Sequence, residues 1–330
     1  MTALLSGSAR ILALWAIGFC AGAAVAGAEP PAPPWVSPLN VQHPLVGRIW
    51  AQEPARYLTP PEMVENVARA TFVLLGEKHD NGDHHRLQAW LTQRMVDGGR
   101  RPAVAFEMFG TEQTPALADY QRAHPGDAAG MGAALHWEQT GWPDWDLYAP
   151  IAQAAARAGL PVVAANLPHA EAVAMARGLP LSEDANKRLG LDTPLADGLA
   201  ADLAREIRDS HCGRLPEEMV LGMVLAQRAR DAAMATAMVE ARSRPGIDGA
   251  VLIAGAGHVR SDRGVPLHLR RLAPGAAIYT IVFVEVQPGL DQPTDYAEGS
   301  ARLPFDAVWF TPRLDAKDPC ASLRKRFQEK

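Results

Sequence analysis

Cysteine is scarce in this 330-residue chain, with only Cys20, Cys212 and Cys320. The scarcity argues against a cysteine nucleophile. In an oxidising compartment it leaves room for one structural bridge, between Cys212 and Cys320, which both sit beside turn residues (Cys212-Gly213 and Asp318-Pro319-Cys320). Such a bridge requires Cα atoms within about 7 Å of each other. Positive charge is also short, with 32 Lys and Arg against 37 Asp and Glu, a net charge of −5. No basic face is expected, which excludes nucleic acid as a partner. Beyond residue 28 no apolar run approaches the roughly 17 residues needed to span a bilayer. Internal repeats are absent, and low complexity is confined to the two ends.

What is present starts with a targeting pattern. Arg10 is the only charge before an apolar stretch from Ile11 to Ala28, which closes on Ala26-Gly27-Ala28 ahead of Glu29. A basic start, an apolar run and a small-x-small ending predict a cleaved secretory signal over residues 1–28. The alternatives are an uncleaved anchor and a lipoprotein acylated at Cys20. Gly and Ala make the run weakly hydrophobic for an anchor, and Phe19 is bulky where a lipoprotein has a small residue. Cleavage removes one basic side chain and no acidic one, taking the net charge from −5 to −6. Residues 29–44 read as a linker, because the five prolines between Pro30 and Pro38 favour an extended tether. Residues 45–330 then form one domain of an exported protein, periplasmic or associated with the cell envelope.

Within that domain short apolar, β-branched runs alternate with longer helical stretches. Strands are predicted at Thr71–Leu75, Ala103–Glu107, Pro161–Ala165, Ala250–Ala254, Ala276–Val286 and Ala307–Phe310. Several are apolar throughout, as in strands covered on both faces. Helices are predicted around Asp83–Met95, Leu147–Ala158, Thr193–Ile207 and Glu217–Arg242. The alternation predicts an α/β fold, a largely parallel sheet flanked by helices. No strand pattern occurs from about 168 to 245, which reads as an inserted helical subdomain. In open parallel sheets ligands bind beyond the carboxyl ends of the strands, so the residues just after each strand are the candidates for chemistry.

Those residues are Gly76-Glu77-Lys78-His79, Phe106-Glu107-Met108 and Gly255-Ala256-Gly257-His258. Each first glycine lets the chain turn off its strand, so that His79 and His258 look back over the sheet edge. His84, Leu87, Gln88, Leu91 and Met95 share one helical stripe, which turns His84 inward, and Asp83 is the expected N-cap. Each motif alone has a plain structural reading: a single Gly-x-x-His turn is common, and a lone His84 on an apolar face is an ordinary core histidine. Glu107 is harder to explain so, because a buried carboxylate needs a cation, a metal or a donor such as Arg230. Arg230 reads either as part of a solvated face or as a fork reaching the crevice to pair Glu107 or a ligand carboxylate. Trp137, Trp142 and Trp145 lie within nine residues, followed by Tyr148. They read either as sheet cover or as the wall of a pocket for a flat apolar ligand.

Together these motifs resemble a known family. Gly76-Glu77-Lys78-His79-Asp80-Asn81 with His84-His85-x-x-Gln88, Ala105-Phe106-Glu107-Met108, Tyr148-Ala149-Pro150-Ile151, Ala165-Asn166-Leu167-Pro168, His211-Cys212-Gly213, Gln227-Arg228-Ala229-Arg230-Asp231-Ala232-Ala233-Met234 and Gly255-x-Gly257-His258 resemble the ChaN-like haem-binding uptake family. That family is similar in turn to Tiki proteases, TraB-like proteins and erythromycin esterase-like enzymes. The resemblance implies a cell-envelope protein that binds haem and serves iron acquisition. An iron porphyrin needs an apolar slot, an axial ligand and cations for its propionates; Tyr148 and His84 or His85 are the ligand candidates, and Arg230 is the cation. Haem held at a subunit interface would tie affinity to a homodimer, and the uptake role implies membrane-associated haem transport partners. The competing reading is a metal-dependent hydrolase, peptidase or esterase-like. In it Glu77, His79, Glu107 and His258 hold a divalent metal ion beside Arg230, and an unligated Glu serves as base. A purely structural envelope protein would leave the buried carboxylates unexplained.

Overall fold

The computed structural model describes residues 35–179, 181–196, 198–297, 302–318 and 320. The expected signal segment and residues 29–34 lie outside them. The described chain runs β1 (Ile49–Ala51), β2 (Arg56–Leu58), α1 (Pro60–Arg69), β3 (Phe72–Glu77), α2 (Gly82–Asp97), β4 (Pro102–Gly110), α3 (Thr114–Ala123), α4 (Met131–Ala134), α5 (Trp145–Arg157) and β5 (Val162–Asn166). It continues through α6 (His169–Ala176), α7 (Glu183–Leu189), α8 (Leu199–Ser210), α9 (Glu217–Arg242), β6 (Gly249–Gly255), α10 (Val265–Leu272), β7 (Ile278–Glu285) and β8 (Ala307–Thr311).

The eight strands form one sheet in the order β2-β1-β8-β7-β3-β6-β4-β5. The six strands predicted from apolar runs are parallel to their neighbours, and β1 joins antiparallel between β2 and β8. β3 and β6 are buried along their whole length, because helices cover both faces. Val73, Leu75, Phe106 and Ile253 face α2 and α5, whereas Leu74, Ala105 and Leu252 face Met234 and Met238 of α9. Burying each such Leu or Met contributes roughly 1.5–3 kcal/mol relative to exposure. Between β5 and β6 the described residues form helices α6 to α9 and no strand. α9 crosses α6 closely: a Cβ on Gly222 would fall 2.7 Å from the carbonyl oxygens of Met175 and Ala176.

Three local expectations change. The N-cap of α2 is Asn81, whose side chain accepts from the amides of Asp83 (2.9 Å) and His84 (3.3 Å). Asp83 instead turns its buried carboxylate to the amides of Val36 and Ser37, at 2.9 and 2.8 Å. The second half of the segment read as a free tether is therefore docked, with Leu39 also bridged to Arg313. The helix expected from Thr193 begins only at Leu199. Pro194 denies Thr193 the helical conformation, and Gly198 precedes the helix at φ 87°.

The two late cysteines are bridged. Cys212, in the turn after α8, and Cys320 have Cα atoms 5.7 Å apart and close a loop across 108 residues. Reduction should lower stability by about 2–4 kcal/mol. Thermal melts with and without reductant, beside a Cys320→Ser variant that no longer responds to reductant, check this.

Candidate functional site

The strand order places the chemistry. From β3 the chain passes to β4, leaving a gap that β6 later fills, so the carboxyl ends of β3, β6 and β4 lie side by side. Glu77, Gly255 and Glu107 sit there. The glycines are required by close approach. A Cβ at Gly76 would strike the Val259 side chain at 2.3 Å, and one at Gly255 would sit 2.9 Å from His79 Nε2 and 3.6 Å from Glu107 Oε2.

Glu77 anchors the first of two polar groups. Its Oε1 is 2.9 Å from His79 Nδ1 and accepts the Tyr148 hydroxyl at 3.1 Å, while Oε2 is 3.1 Å from His85 Nδ1. Burial alone would raise this carboxyl, but His85 and His79 outweigh it and hold Glu77 at about 2. Burial likewise opposes charge on both histidines, yet Glu77 raises each of them. His85 Nε2 meets the His79 carbonyl at 2.9 Å, so both ring nitrogens have acceptors, as an imidazolium requires.

Glu107 anchors the second. Its Oε2 accepts the Gly255 amide at 2.6 Å, and its Oε1 pairs with Arg230 and lies 3.3 Å from His258 Nε2. His258 Nδ1 is 2.6 Å from Asp231 Oδ1, so the ring bridges two carboxylates. Burial opposes its charge, but Glu107 and Asp231 together raise His258 to about 9. Burial would raise Glu107, and His258 and Arg230 hold it well below the carboxylate range. Asn166 ties the ends together, accepting from Arg230 Nε at 3.1 Å and donating to the Glu107 carbonyl at 2.8 Å. The forecast Glu107–Arg230 pair is therefore formed.

The expected ligands are placed in this way. Among the described residues no three His, Cys, Asp or Glu side chains are arranged to hold a metal ion. The expected set of Glu77, His79, Glu107 and His258 spans both groups, and Glu77 Oε2, buried beside His85, accepts no hydrogen bond from the described residues. The haem-ligand candidates His84, His85 and Tyr148 are buried. His84 is fully buried, with Nδ1 accepting the Lys78 amide (3.0 Å) and Nε2 2.9 Å from Thr311 Oγ1. Burial and His85 push it down to about 3. His85 and Tyr148 are buried too, and burial and Glu77 raise the Tyr148 phenol. Of the expected residues only His79, partly exposed and packed edge-on against Trp142 (4.8 Å), and Arg230 reach toward open space.

That space is a groove of about 700 Å³ beyond β4 and β5. Its walls are the segment 135–142, the start of α6 and the first half of α9. Met108, Leu135, Leu167, Val173 and Met223 give it apolar patches beside Glu112, Gln113, Gln139 and Thr140, and Trp142, Gln227 and Arg230 border it. Two exposed histidines that the sequence did not single out as site residues, His136 and His169, also line it. His136 stands beside the tryptophan cluster in the sequence, which was the available signal; His169 follows Leu167-Pro168 with no pattern of its own.

Comparison with solved structures finds the same fold in ChaN of Campylobacter jejuni, whose structure shows cofacial haem binding. The likeness is 20% in sequence with a TM-score of 0.60, and it covers 79% of this chain and 95% of that one. The type III effector HopBA1 (14% identity, 76% of this chain and 92% of that one) has a TM-score of 0.43. An erythromycin esterase, EreC, in its open conformation (17% identity, 81% and 82%) has a TM-score of 0.39. A search of proteins with curated function returns no match. Residues 63–269, from α1 to α10 and including both polar groups and the groove, match the haem-binding uptake family, ChaN, of the Tiki superfamily, and the chain belongs to that family.

Proposed function

We propose that this is an exported, envelope-associated haem-binding protein of iron uptake, and that the groove beyond β4 and β5 is where haem is held. The observation that carries the reading is the groove itself. Its volume of about 700 Å³ is within the range of roughly 300–1,000 Å³ typical of small-molecule sites. A porphyrin is a flat apolar disc with an iron at its centre and carboxylates on one edge. The apolar walls suit the disc, Trp142 offers a flat face, imidazoles suit the iron, and Arg230 offers a cation at the polar border. Bound there, haem would supply an iron centre that side chains of the groove would hold.

Export is supported by the basic-then-apolar residues 1–28 and by the Cys212–Cys320 bridge, which fits an oxidising compartment. Uptake would require handover to haem transport partners at the membrane.

A haemin titration followed by Soret absorbance tests the proposal. The protein should give a saturable, shifted band. Ala172→Trp, which places an indole in the groove from α6, should weaken binding at least about tenfold, or 1.4 kcal/mol, with an unchanged melt. A featureless titration, or an Ala172→Trp variant that binds as the native protein does, overturns it.

A further inference from the structure

Charge is sparse on the wall of the groove, and its placing restricts what the groove can hold. Among the described lining residues Arg230 is the one guanidinium and Glu112 the one carboxylate, and there is no lysine. We propose that Glu112 makes the groove selective for porphyrins whose carboxylates lie on one edge, against those that carry them around the ring, a selectivity that rests on the haem reading of the groove.

Glu112 lies in the link between β4 and α3. Two contacts fix its position. Its Oε1 accepts the His169 amide at 3.2 Å, at the start of α6. A Cβ on Gly110 would fall 2.6 Å from its carboxyl carbon, so the glycine that ends β4 makes room for the side chain. That amide is its one hydrogen-bond donor among the described residues, and no described lysine or arginine pairs with it. A negative charge therefore stands on the groove wall without a cation to cancel it.

Arg230 is largely committed. Nη2 pairs with Glu107 and Nε donates to Asn166 at 3.1 Å, which leaves Nη1 as its one nitrogen with no described acceptor. The border at Arg230 thus has a place for a single ligand carboxylate. The walls at Met108, Leu135, Leu167 and Val173 offer a carboxylate nothing. Taking a carboxylate out of water without a partner is costly, and Glu112 repels it as well. Discrimination between ligands of one shape is often built from such an opposing charge. A porphyrin with two carboxylates on one edge can turn that edge toward Arg230 and solvent. A ring with a carboxylate on every pyrrole cannot turn all of them away from Glu112 and the apolar walls.

Metal-free porphyrins test this, because their own fluorescence reports binding. Protoporphyrin IX, with two carboxylates on one edge, and coproporphyrin, with one on each pyrrole, are titrated into the native protein and Glu112→Gln. The variant keeps an oxygen for the His169 amide, so its thermal melt should be unchanged. The native protein should bind coproporphyrin at least about tenfold more weakly than protoporphyrin. Glu112→Gln should narrow that gap at least about threefold, through tighter coproporphyrin binding. Raising salt from about 0.1 M to about 1 M shortens the screening length from about 10 Å to about 3 Å. It should narrow the gap in the native protein and leave it in the variant. A native gap below tenfold overturns the selectivity. A gap that neither the variant nor salt narrows means selection by size, and overturns the role of Glu112. In both cases a saturable Soret band with haemin leaves the haem reading standing. If haemin gives no such band, both fall together.

Discussion

Replacing Glu107 with alanine should destabilise the protein by about 3–5 kcal/mol, the cost expected when one partner of a buried charge pair is removed. The carboxylate is fully enclosed, and three groups depend on it. The Gly255 amide donates to Oε2 at 2.6 Å, Arg230 pairs with Oε1, and His258 Nε2 lies 3.3 Å away. Glu107 and Asp231 carry two negative charges against the two positive charges of His258 and Arg230, so the group is neutral as built. Without Glu107 one positive charge is left uncompensated beside His258, which is itself enclosed. Glu107→Gln keeps an acceptor for Gly255 and should cost about 2 kcal/mol, the scale of a hydrogen bond to a charged partner. Denaturant melts at neutral pH separate the two variants. Equal and small losses in both would mean that the pairing contributes little.

Stability should also fall between about pH 6.5 and pH 9, by roughly 3 kcal/mol. His258 is raised to about 9 in the folded chain by its two flanking carboxylates, against about 6.5 when unfolded. A folded value above the unfolded one means that the contribution is complete below pH 6.5 and is lost as pH climbs through 9. His79 and His85, both raised by Glu77, act in the same direction. On the acid side the sign reverses. Glu77, held at about 2, and Glu107, held lower than its ordinary range, contribute above about pH 4.5 and lose that contribution as pH falls further. Melting temperature should therefore form a plateau near pH 5–6.5. In Glu107→Gln, His258 loses one of its two carboxylates, so the alkaline fall should shrink markedly. An alkaline limb of unchanged slope in that variant would remove His258 as its source.

In these two predictions the strand ends Glu77, Glu107 and His258 act as a charged floor. The strand ends themselves were legible in the sequence, because continuous apolar runs such as Phe72-Val73-Leu74-Leu75 have no other use than a doubly covered sheet. The short strands β1 and β2 were not, since three residues each leave no periodicity to read. α1 carried a usable signal in Thr59-Pro60-Pro61-Glu62: Thr59 and Glu62 form a capping box, with the Thr59 amide donating to Glu62 at 2.7 Å.

For the site, residue type was readable and direction was not. The helical stripe correctly turned His84 inward, but inward here means the core against Phe283 and Thr311. Tyr148 likewise follows the tryptophans in sequence, yet its ring packs on His85 and its hydroxyl serves Glu77. For Glu107 the sequence left a cation, a metal or Arg230 open as partner, and the structure pairs it with Arg230. His136 and His169 were hidden for the opposite reason. They are exposed, carry no periodic pattern, and gain meaning only once the insertion brings α6 and α9 beside the 135–142 segment.

The central claim is that haem occupies the groove beyond β4 and β5, above this charged floor. Locating the iron in crystals of the haem complex by its anomalous scattering tests it most directly. The account predicts iron inside the groove, on the Arg230 side of Trp142. An iron beside Tyr148, His84 or His85, or away from the groove altogether, would contradict it.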